Sequence, residues 1–299
     1  MLSVDEALAK SGLESGPEYW NFEAAAKRFR ELIRHKSKPP TPPVKQKRKD
    51  EVVAVFSDFH APYYNEEFFA EAVVDAKRRG ATRAVVPGDL GDQFGFSRFM
   101  KYDHVPIRDE MAAMTNILTA LSGEFESVDV IQGNHDERAK KYFAKVVESE
   151  FFFLVKWNIL ELAANGLRNV RLPCLMADGR PVPFLWRSGD LVLGHPETCS
   201  KVGMRAVDTF ANWLVQWRSI LNFPEIRVVG QGHTHQAGGP MIRPDGIAVF
   251  ELGCMCRLPD YVFDPKLRYR PQTNCYGLFV QRNGHTDLNE SRLFFPTKN

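Results

Sequence analysis

Short runs of apolar residues alternate with amphipathic stretches between residues 52 and 281. The apolar runs are not interrupted by polar residues, which is typical of strands buried on both faces of a sheet. The longer stretches repeat apolar residues every three or four positions, as helices that cover a sheet do. The predicted strands are Val52–Ser57, Ala84–Pro87, Val128–Gln132, Leu191–Gly194, Ile226–Gly230, Ile247–Leu252 and Tyr276–Gln281.

The helices predicted between these strands are Glu66–Arg79, Arg108–Leu121, Arg138–Leu162 with a break allowed within it, and Val202–Leu221. Alternation of strand and helix predicts an α/β layered domain with buried sheets. The later strands lie closer together, with turns predicted at 238–240 and 244–246, so part of the sheet is expected to be mixed.

The last predicted helix carries an apolar stripe that includes Trp213 and Trp217. Such a stripe at helical spacing favours core packing or an oligomer contact over a platform for a ligand.

The N-terminal region differs in character from the rest of the chain. Residues 1–37 are predicted to form a helical extension, because Ser3 is a suitable N-cap and apolar residues recur at helical spacing up to residue 33. Residues 38–50 contain four prolines among polar and basic residues, which predicts an extended linker. Residues 51–299 are then expected to form the main domain.

The composition indicates the class of protein and the compartment in which it is expected. Of the 299 residues, 44% are hydrophobic and 25% are charged, which is an ordinary mix for a globular domain. No apolar run is long enough to span a membrane, and the N-terminus lacks the apolar core of a secretory signal. Five cysteines without a CxxC pair do not suit a disulfide framework or a thiolate zinc site. A cytoplasmic protein without a membrane partner is therefore expected.

Positive charge is concentrated near the N-terminus, although the net charge is only +2. Residues 27–49 contain ten Lys or Arg and one acidic residue, Glu31. Such a run can attract the phosphates of a nucleic acid. It can equally be a solvated linker, which the lack of interleaved aromatic residues beyond Phe29 favours. The oligomeric state is left open by the sequence.

Residues able to bind metal collect directly after the predicted strands. In chain order they are Asp58, His60, Asp89, Asp92, Asn134, His135, His195, His233 and His235. Five of the eight histidines belong to this set, which chance placement of structural histidines does not explain. In open α/β sheets, sites form at the carboxyl ends of the strands. Imidazole, carboxylate and amide ligands in this number suit two metal ions that share a bridging carboxylate and a water.

The motifs read, in order, Asp-x-His, Gly-Asp-x-x-Asp, Gly-Asn-His-Asp, Gly-His and Gly-His-x-His. This order, with each motif behind a strand, resembles the calcineurin-like metallophosphoesterases from residue 52 to about residue 255. The resemblance implies a four-layer αββα sandwich, in which two mixed β-sheets are flanked by helices and a two-metal site lies at the strand ends.

The resemblance also implies a role for each residue of the motifs. One ion would be held by Asp58, His60 and His235. The other would be held by Asn134, His195 and His233. Asp89 would bridge the two ions, and Asp92 would hydrogen-bond to His135, which assists the leaving group. Two divalent ions are expected, with Mn²⁺ first and iron, zinc or nickel as alternatives.

Departures from one branch of the family narrow the substrate. Protein Ser/Thr phosphatases of this family carry arginines where this chain has Gln93 and Gln132, and a glutamate at Asp136. Those arginines bind a phosphomonoester dianion through paired hydrogen bonds. Their absence favours a phosphodiesterase that acts on nucleic acid or nucleotides by attack of a hydroxide held between the metal ions. Arg98 and Arg138 remain candidates for contact with the substrate phosphate.

Two other functions fit the same residues less well. One is a phosphomonoesterase that acts on a nucleotide, a small molecule or a protein. The other is a non-catalytic, metal-holding module that binds nucleic acid, although such a module gives no reason for His135.

Overall fold

The computed structural model describes residues 50–97, 105–148, 158–257 and 272–296. The predicted helical extension, the linker up to residue 49, the basic run at 27–49 and Arg98 lie outside the described residues.

The described residues form strands β1 to β13 and helices α1 to α5. The strands, in order, are Asp50–Val55, Arg83–Pro87, Ser127–Ile131, Val170–Arg171, Leu175–Ala177, Arg180–Val182, Leu185–Ser188, Leu191–Gly194, Val228–Gln231, Ala237–Ile242, Ala248–Leu252, Tyr276–Arg282 and His285–Phe294. The helices, in order, are Glu66–Arg78, Ile107–Glu124, Arg138–Val146, Ile159–Ala163 and Arg205–Trp217. A single 3₁₀ turn lies at Phe94–Phe96.

These strands form two mixed sheets and a two-stranded ribbon. The first sheet has the order β13-β12-β1-β2-β3-β4, with β1 to β4 parallel and β12 antiparallel to both of its neighbours. The second has the order β10-β11-β9-β8-β7, with β8, β9 and β11 parallel and the two edge strands antiparallel. Strands β5 and β6 form the ribbon.

The two sheets pack face to face through a shared apolar core. Val53, Val85 and Ile131 of the first sheet belong to the same buried cluster as Leu193 and Phe250 of the second. A second cluster lies between the other face of the first sheet and helices α1, α2 and α4, and a third lies between the second sheet and α5. The layers therefore follow the order αββα, which confirms the predicted fold class.

The predicted helix Arg138–Leu162 is interrupted. Helix α3 ends at Val146, because the next residue, Val147, takes an extended conformation with φ −106° and ψ 131°. Helix α4 begins after Asn158, whose side chain accepts a hydrogen bond from the backbone N–H of Leu160 and so caps a new helix.

The predicted turn at 238–240 is wrong, whereas the turn at 244–246 is present. Strand β10 runs through the first position, with a shift of register between Gly238 and Met241. Pro240 is tolerated there because β10 is an edge strand, where one backbone N–H is not needed for pairing. Among the described helices, none is both long and apolar enough to cross a bilayer.

Glu110 on α2 is a buried carboxyl group that supports the loop after β2. Its Oε1 accepts hydrogen bonds from the backbone N–H of Gln93 at 2.5 Å and from the Gln93 side-chain amide at 2.7 Å. Gln93 follows Asp92 directly and takes a left-handed conformation with φ 52°. Burial raises the pKa of Glu110 to about 8, and the nearby carboxyl groups of Asp92 and Asp136 add to the rise.

Replacing Glu110 with Gln is expected to remove a loss of stability at high pH. A carboxyl group whose folded-state pKa is raised stabilises the fold below its ordinary pKa of 4.5, and this stabilisation is lost as the pH rises through about 8. In Glu110→Gln the acceptor oxygen stays but cannot ionise. The thermal midpoint of the variant, measured with chelator, should therefore exceed that of the wild type at about pH 9 and approach it at about pH 5.

A difference of a few degrees is expected, since 1 kcal/mol shifts the midpoint of a chain this size by about 2–4 °C. The exposed Glu126→Gln variant is the control and should follow the wild type at both pH values. If the difference in thermal midpoint between Glu110→Gln and the wild type did not change with pH, the raised pKa of Glu110 would be contradicted.

Candidate metal centre

Parallel strands of both sheets end at one edge of the sandwich, and the predicted ligands lie there. Strands β1, β2 and β3 of the first sheet and β8 and β9 of the second lead into this edge. The structure brings together all nine residues that the sequence places after these strands: Asp58, His60, Asp89, Asp92, Asn134, His135, His195, His233 and His235.

The backbone turns sharply where these strands end. Asp58, His60, Asp89, His233 and His235 all take left-handed conformations, with φ between 47° and 74°. Such conformations are uncommon for residues other than glycine, and each costs on the order of 1–3 kcal/mol. They persist because the surrounding hydrogen bonds and packing leave these residues no other arrangement.

Two glycines in the motifs are required by close approach to a carboxylate. A Cβ atom on Gly133 would overlap the carboxylate of Asp89. A Cβ atom on Gly232 would lie 2.5 Å from the Ser57 hydroxyl and 2.8 Å from Asp58 Oδ2. Any larger residue at either position would push a proposed ligand out of place.

Asp58, His60 and His235 form a first group of donor atoms that could hold a metal ion, called here the first ligand group. Asp58 Oδ1 lies 3.3 Å from His235 Nε2 and 3.9 Å from His60 Nε2, and the two Nε2 atoms are 3.0 Å apart. The Ser57 hydroxyl and the His233 backbone N–H both donate to the Asp58 carboxylate. Burial alone would raise the pKa of Asp58, but the neighbouring imidazoles lower it to about 2. Asp58 is therefore ionised at neutral pH.

Asp89, His195 and His233 form the second ligand group, together with the side-chain amide of Asn134. Asn134 Oδ1 lies 2.8 Å from His233 Nδ1 and 3.2 Å from His195 Nε2. His195 Nδ1 donates to the backbone carbonyl of Pro87 at 2.7 Å. This bond turns His195 Nε2 towards Asp89 Oδ2, 3.1 Å away.

The carboxylate of Asp89 lies between the two groups. Its Oδ2 is 3.1 Å from His195 Nε2 in the second group and 3.6 Å from His60 Nε2 in the first. Its Oδ1 accepts a hydrogen bond of 2.8 Å from the backbone N–H of His135, which fixes the orientation of the carboxylate. This is the location that a bridging carboxylate needs.

The residues present fit a pair of divalent cations. Although burial disfavours charged imidazole, the carboxylates of Asp89 and Asp58 raise the pKa of His195 to about 10, and Asp58 raises that of His235 to about 9. The centre therefore attracts positive charge strongly. Burial lowers the pKa of His233 to about 4, so this imidazole is neutral, which is the form that binds a metal. Nitrogen and oxygen donors in this mixture suit manganese, iron or zinc.

His135 stands beside Asp89, with 4.0 Å between its Nε2 and Asp89 Oδ2. Its Nδ1 lies 2.8 Å from the backbone oxygen of Asp92, which can only accept, so Nδ1 carries the proton. Arg138 Nη2 lies 2.8 Å from His135 Nε2 and can only donate, so Nε2 carries none. In this arrangement the Arg138 guanidinium covers His135 Nε2.

Asp92 serves two imidazoles, whereas the sequence prediction paired it with His135 alone. Asp92 Oδ1 lies 2.9 Å from His60 Nδ1 and 3.2 Å from His135 Nδ1. The shorter bond orients His60 so that its Nε2 faces the first ligand group. Burial would raise the pKa of Asp92, but hydrogen bonds from His135 and His60 hold it below its ordinary value.

The structure adds residues that the sequence analysis did not place at the site. The carboxylate of Asp136 accepts hydrogen bonds from the backbone N–H groups of Gly133 and Gly91, at 2.8 and 3.3 Å, and so ties together the loops after β3 and β2. Cys254 and Cys256 follow β11, and with His235 they form a further group of donor atoms within 4.8 Å of one another. Their position just after a predicted buried strand was the signal that could have identified them.

Comparison with known proteins gives structural likeness only. No family model matches the chain, and no curated protein matches it. A single mutant of Vps29 from Entamoeba histolytica is 11% identical, with a TM-score of 0.37, over 82% of this chain and 99% of that chain. Vacuolar Protein Sorting 29 from Cryptosporidium parvum is 12% identical, with a TM-score of 0.35, over 83% of this chain and 99% of that chain.

A protein serine/threonine phosphatase from Saccharomyces cerevisiae, with similarity to human phosphatase PP5, is 13% identical, with a TM-score of 0.38. This likeness covers 99% of this chain and 95% of that chain. Likenesses of this degree assign no function to the chain.

Each ligand group should lose one cation when a histidine that belongs to it is removed. We expect the wild-type chain to bind two Mn²⁺ ions after dialysis, as measured by elemental analysis and titration calorimetry. His235→Ala removes a ligand of the first group and His233→Ala one of the second, so each variant should retain about one ion. Asp89→Asn should weaken both sites, because the lost charge is shared between them.

His285→Ala is the control, because the His285 side chain is 59% exposed and distant in sequence from all the ligands. It should bind two ions. If His233→Ala and His235→Ala each lost both ions, or neither, the division into two groups would be wrong.

Proposed function

We propose that the chain is a two-metal phosphodiesterase of the calcineurin-like metallophosphoesterase family, acting on nucleic acid or nucleotides. The observation that carries this proposal is the Asp89 carboxylate, which lies between two buried groups of imidazole and acidic ligands with His135 beside it. The αββα layers agree with the fold that the ordered motifs imply.

The first cation would be held by Asp58, His60 and His235, and the second by Asn134, His195 and His233, with Asp89 shared. When bound, two divalent cations, Mn²⁺ foremost, would neutralise the charge of the phosphate oxygens and lower the pKa of water. The chain itself supplies fixed carboxylates and oriented imidazoles, so little reorganisation is needed when the substrate arrives.

His135 is proposed to assist the leaving oxygen. For this role its Nε2 must carry a proton and must be free of Arg138, which covers it in the structure. A phosphate oxygen accepts a charge-assisted hydrogen bond from guanidinium more strongly than a neutral imidazole does, so Arg138 would move to the substrate. A protonated His135 would then be stabilised by the Asp92 carboxylate, 3.2 Å from its Nδ1.

The surroundings of Gln93 support a diester substrate. The side chain of Gln93 is fully buried and donates to Glu110, so this position offers no cation to a phosphate. A phosphomonoester carries nearly two negative charges at neutral pH, whereas a diester carries one, and thus needs fewer cationic partners. The basic run at 27–49 is proposed to add contacts to the backbone of a nucleic-acid substrate.

Hydrolysis of two chromogenic esters tests the reaction class. With added Mn²⁺, we expect kcat/KM for bis-p-nitrophenyl phosphate to exceed that for p-nitrophenyl phosphate by at least about tenfold, because a second anionic charge lacks a partner. Chelation should abolish both activities. A strong preference for the monoester would contradict the diester assignment and favour a phosphatase.

Removal of His135 tests the proposed acid. His135→Ala should lower kcat for the dinucleotide thymidylyl-thymidine, whose alkoxide leaving group needs a proton, by about 10²–10⁴-fold, the usual contribution of a positioned acid or base. The variant should still bind two Mn²⁺ ions, because His135 is not among the proposed ligands. His285→Ala should keep wild-type kcat. Wild-type activity in His135→Ala, at unchanged metal content, would rule out the catalytic role.

A further inference from the structure

A pocket of about 400 Å³ opens beside the second ligand group. Its lining includes Asn134 and His195, so a group bound in it would adjoin a phosphate held at the centre. The volume falls within the ~300–1,000 Å³ of typical small-molecule sites. The reaction proposed above makes no use of this pocket.

Two aromatic side chains form apolar walls of the pocket. The rings of Phe184 and Trp213 have centroids 6.0 Å apart and planes inclined at 48°. Trp213 stacks on the buried ring of Phe210, at 6.4 Å and 20°, which holds it in place. The backbone carbonyl of Phe184 accepts a hydrogen bond from the N–H of His195, so this wall is tied to the metal centre. Half-buried aromatic rings beside an open space suit a flat, polarisable ring.

The charges around the pocket select an uncharged occupant. Glu137 and Glu197 are part of the lining, and no Lys or Arg is among the described lining residues, so an anionic group would be repelled. Lys141 Nζ lies 2.7 Å from Glu137 and 3.6 Å from Glu197, so these carboxylates already have a cationic partner. A cationic ligand would have to displace it.

Polar groups stand among the apolar walls. Gln132 and Thr198 belong to the lining, and Thr198 Oγ1 accepts a hydrogen bond from Gln231 Nε2 at 3.0 Å, which leaves its own proton to donate. A hydrocarbon group would leave such groups without partners, which is costly. A flat ring that carries its own donors and acceptors satisfies both kinds of surface.

We propose that this pocket binds the base of a nucleoside whose phosphodiester lies at the metal centre. The proposal rests on the proposed function for the phosphate, but the binding of the base requires neither metal nor hydrolysis. It revises the interpretation of the stripe on α5. Leu214 of the same helix is buried in the core, whereas Trp213 is half-buried and lines the pocket beside the buried Phe210.

Two esters with the same leaving group test the assignment. Thymidine 5′-p-nitrophenyl phosphate carries a base, and methyl p-nitrophenyl phosphate does not. We expect the first to have a kcat/KM at least about tenfold higher, and Trp213→Leu to lower this ratio by about tenfold. Trp213→Phe keeps a ring and should retain most of the ratio, which separates loss of stacking from loss of folding.

Trp217→Leu is the matched control. Trp217 lies one turn further along the same helix, is 45% exposed and is not part of the lining. Its ring lies 6.5 Å from that of Trp213, but Phe210 still packs against Trp213 in the variant, so the ratio should stay close to its wild-type value. Equal kcat/KM values for the two esters in the wild type would overturn the assignment of a base to this pocket.

Fluorescence of the metal-free chain separates failure of this proposal from failure of the proposed function. Thymidine or adenosine should quench part of the tryptophan emission in the wild type and in Trp217→Leu, but not in Trp213→Leu. Quenching without hydrolysis of either ester would support the pocket and overturn the phosphodiesterase. Hydrolysis of both esters at equal rates without quenching would overturn the pocket and support the phosphodiesterase.

Discussion

Negative charge buried at the strand ends is the constraint on which the rest of the centre depends. The side chains of Asp58, Asp89 and Asp92 are at most 1% exposed, and a buried carboxylate without partners would be very costly. Each of the three is met by imidazole nitrogens, and two of them also by backbone N–H groups. The histidine-rich motifs, with their left-handed turns, thus supply the partners that these buried carboxylates require. The same buried negative charge attracts cations to the site.

The sandwich sets the spacing between these groups because each ligand group draws on both sheets. Asp58 and His60 follow a strand of the first sheet, whereas their partner His235 follows a strand of the second. Asp89 of the first sheet likewise meets His195 of the second. The close-packed core between the sheets therefore determines the distances between the candidate ligands. A packing defect far from the edge would change these distances.

The sequence predicted the buried strands and the convergence of the candidate ligands after them, both of which depend on local pattern. Buried parallel strands read as apolar runs, and polar residues after them converge because parallel strands end at the same edge. It did not predict β13, whose residues are mostly half-buried or exposed along a sheet edge, or β4, which has two residues. Such strands are defined by their pairing partners, and pairing is not visible in local composition.

Finer features of the site depend on distances that no motif encodes. That Asp92 Oδ1 lies closer to His60 than to His135 follows from how three loops pack together. The contact between Arg138 and His135 was easier to predict, because a single hydrogen-bonded turn before the helix brings residues three apart together. The half-burial of Trp213 could not be predicted, because an apolar stripe on a helix does not show whether the neighbouring loop leaves a gap.

The distance along the chain between His60 and His235 has a consequence for how the protein folds. They are 175 positions apart, yet their Nε2 atoms lie 3.0 Å from each other. Closing so long a loop costs entropy before any contact compensates for it, so we expect this group of donors to be completed late, after both sheets have docked. Partly folded chains then lack the full set of donors, and cations bind the finished fold in preference to its precursors. Metal uptake would therefore occur only once folding is complete, and the bound metal would stabilise the folded state against unfolding.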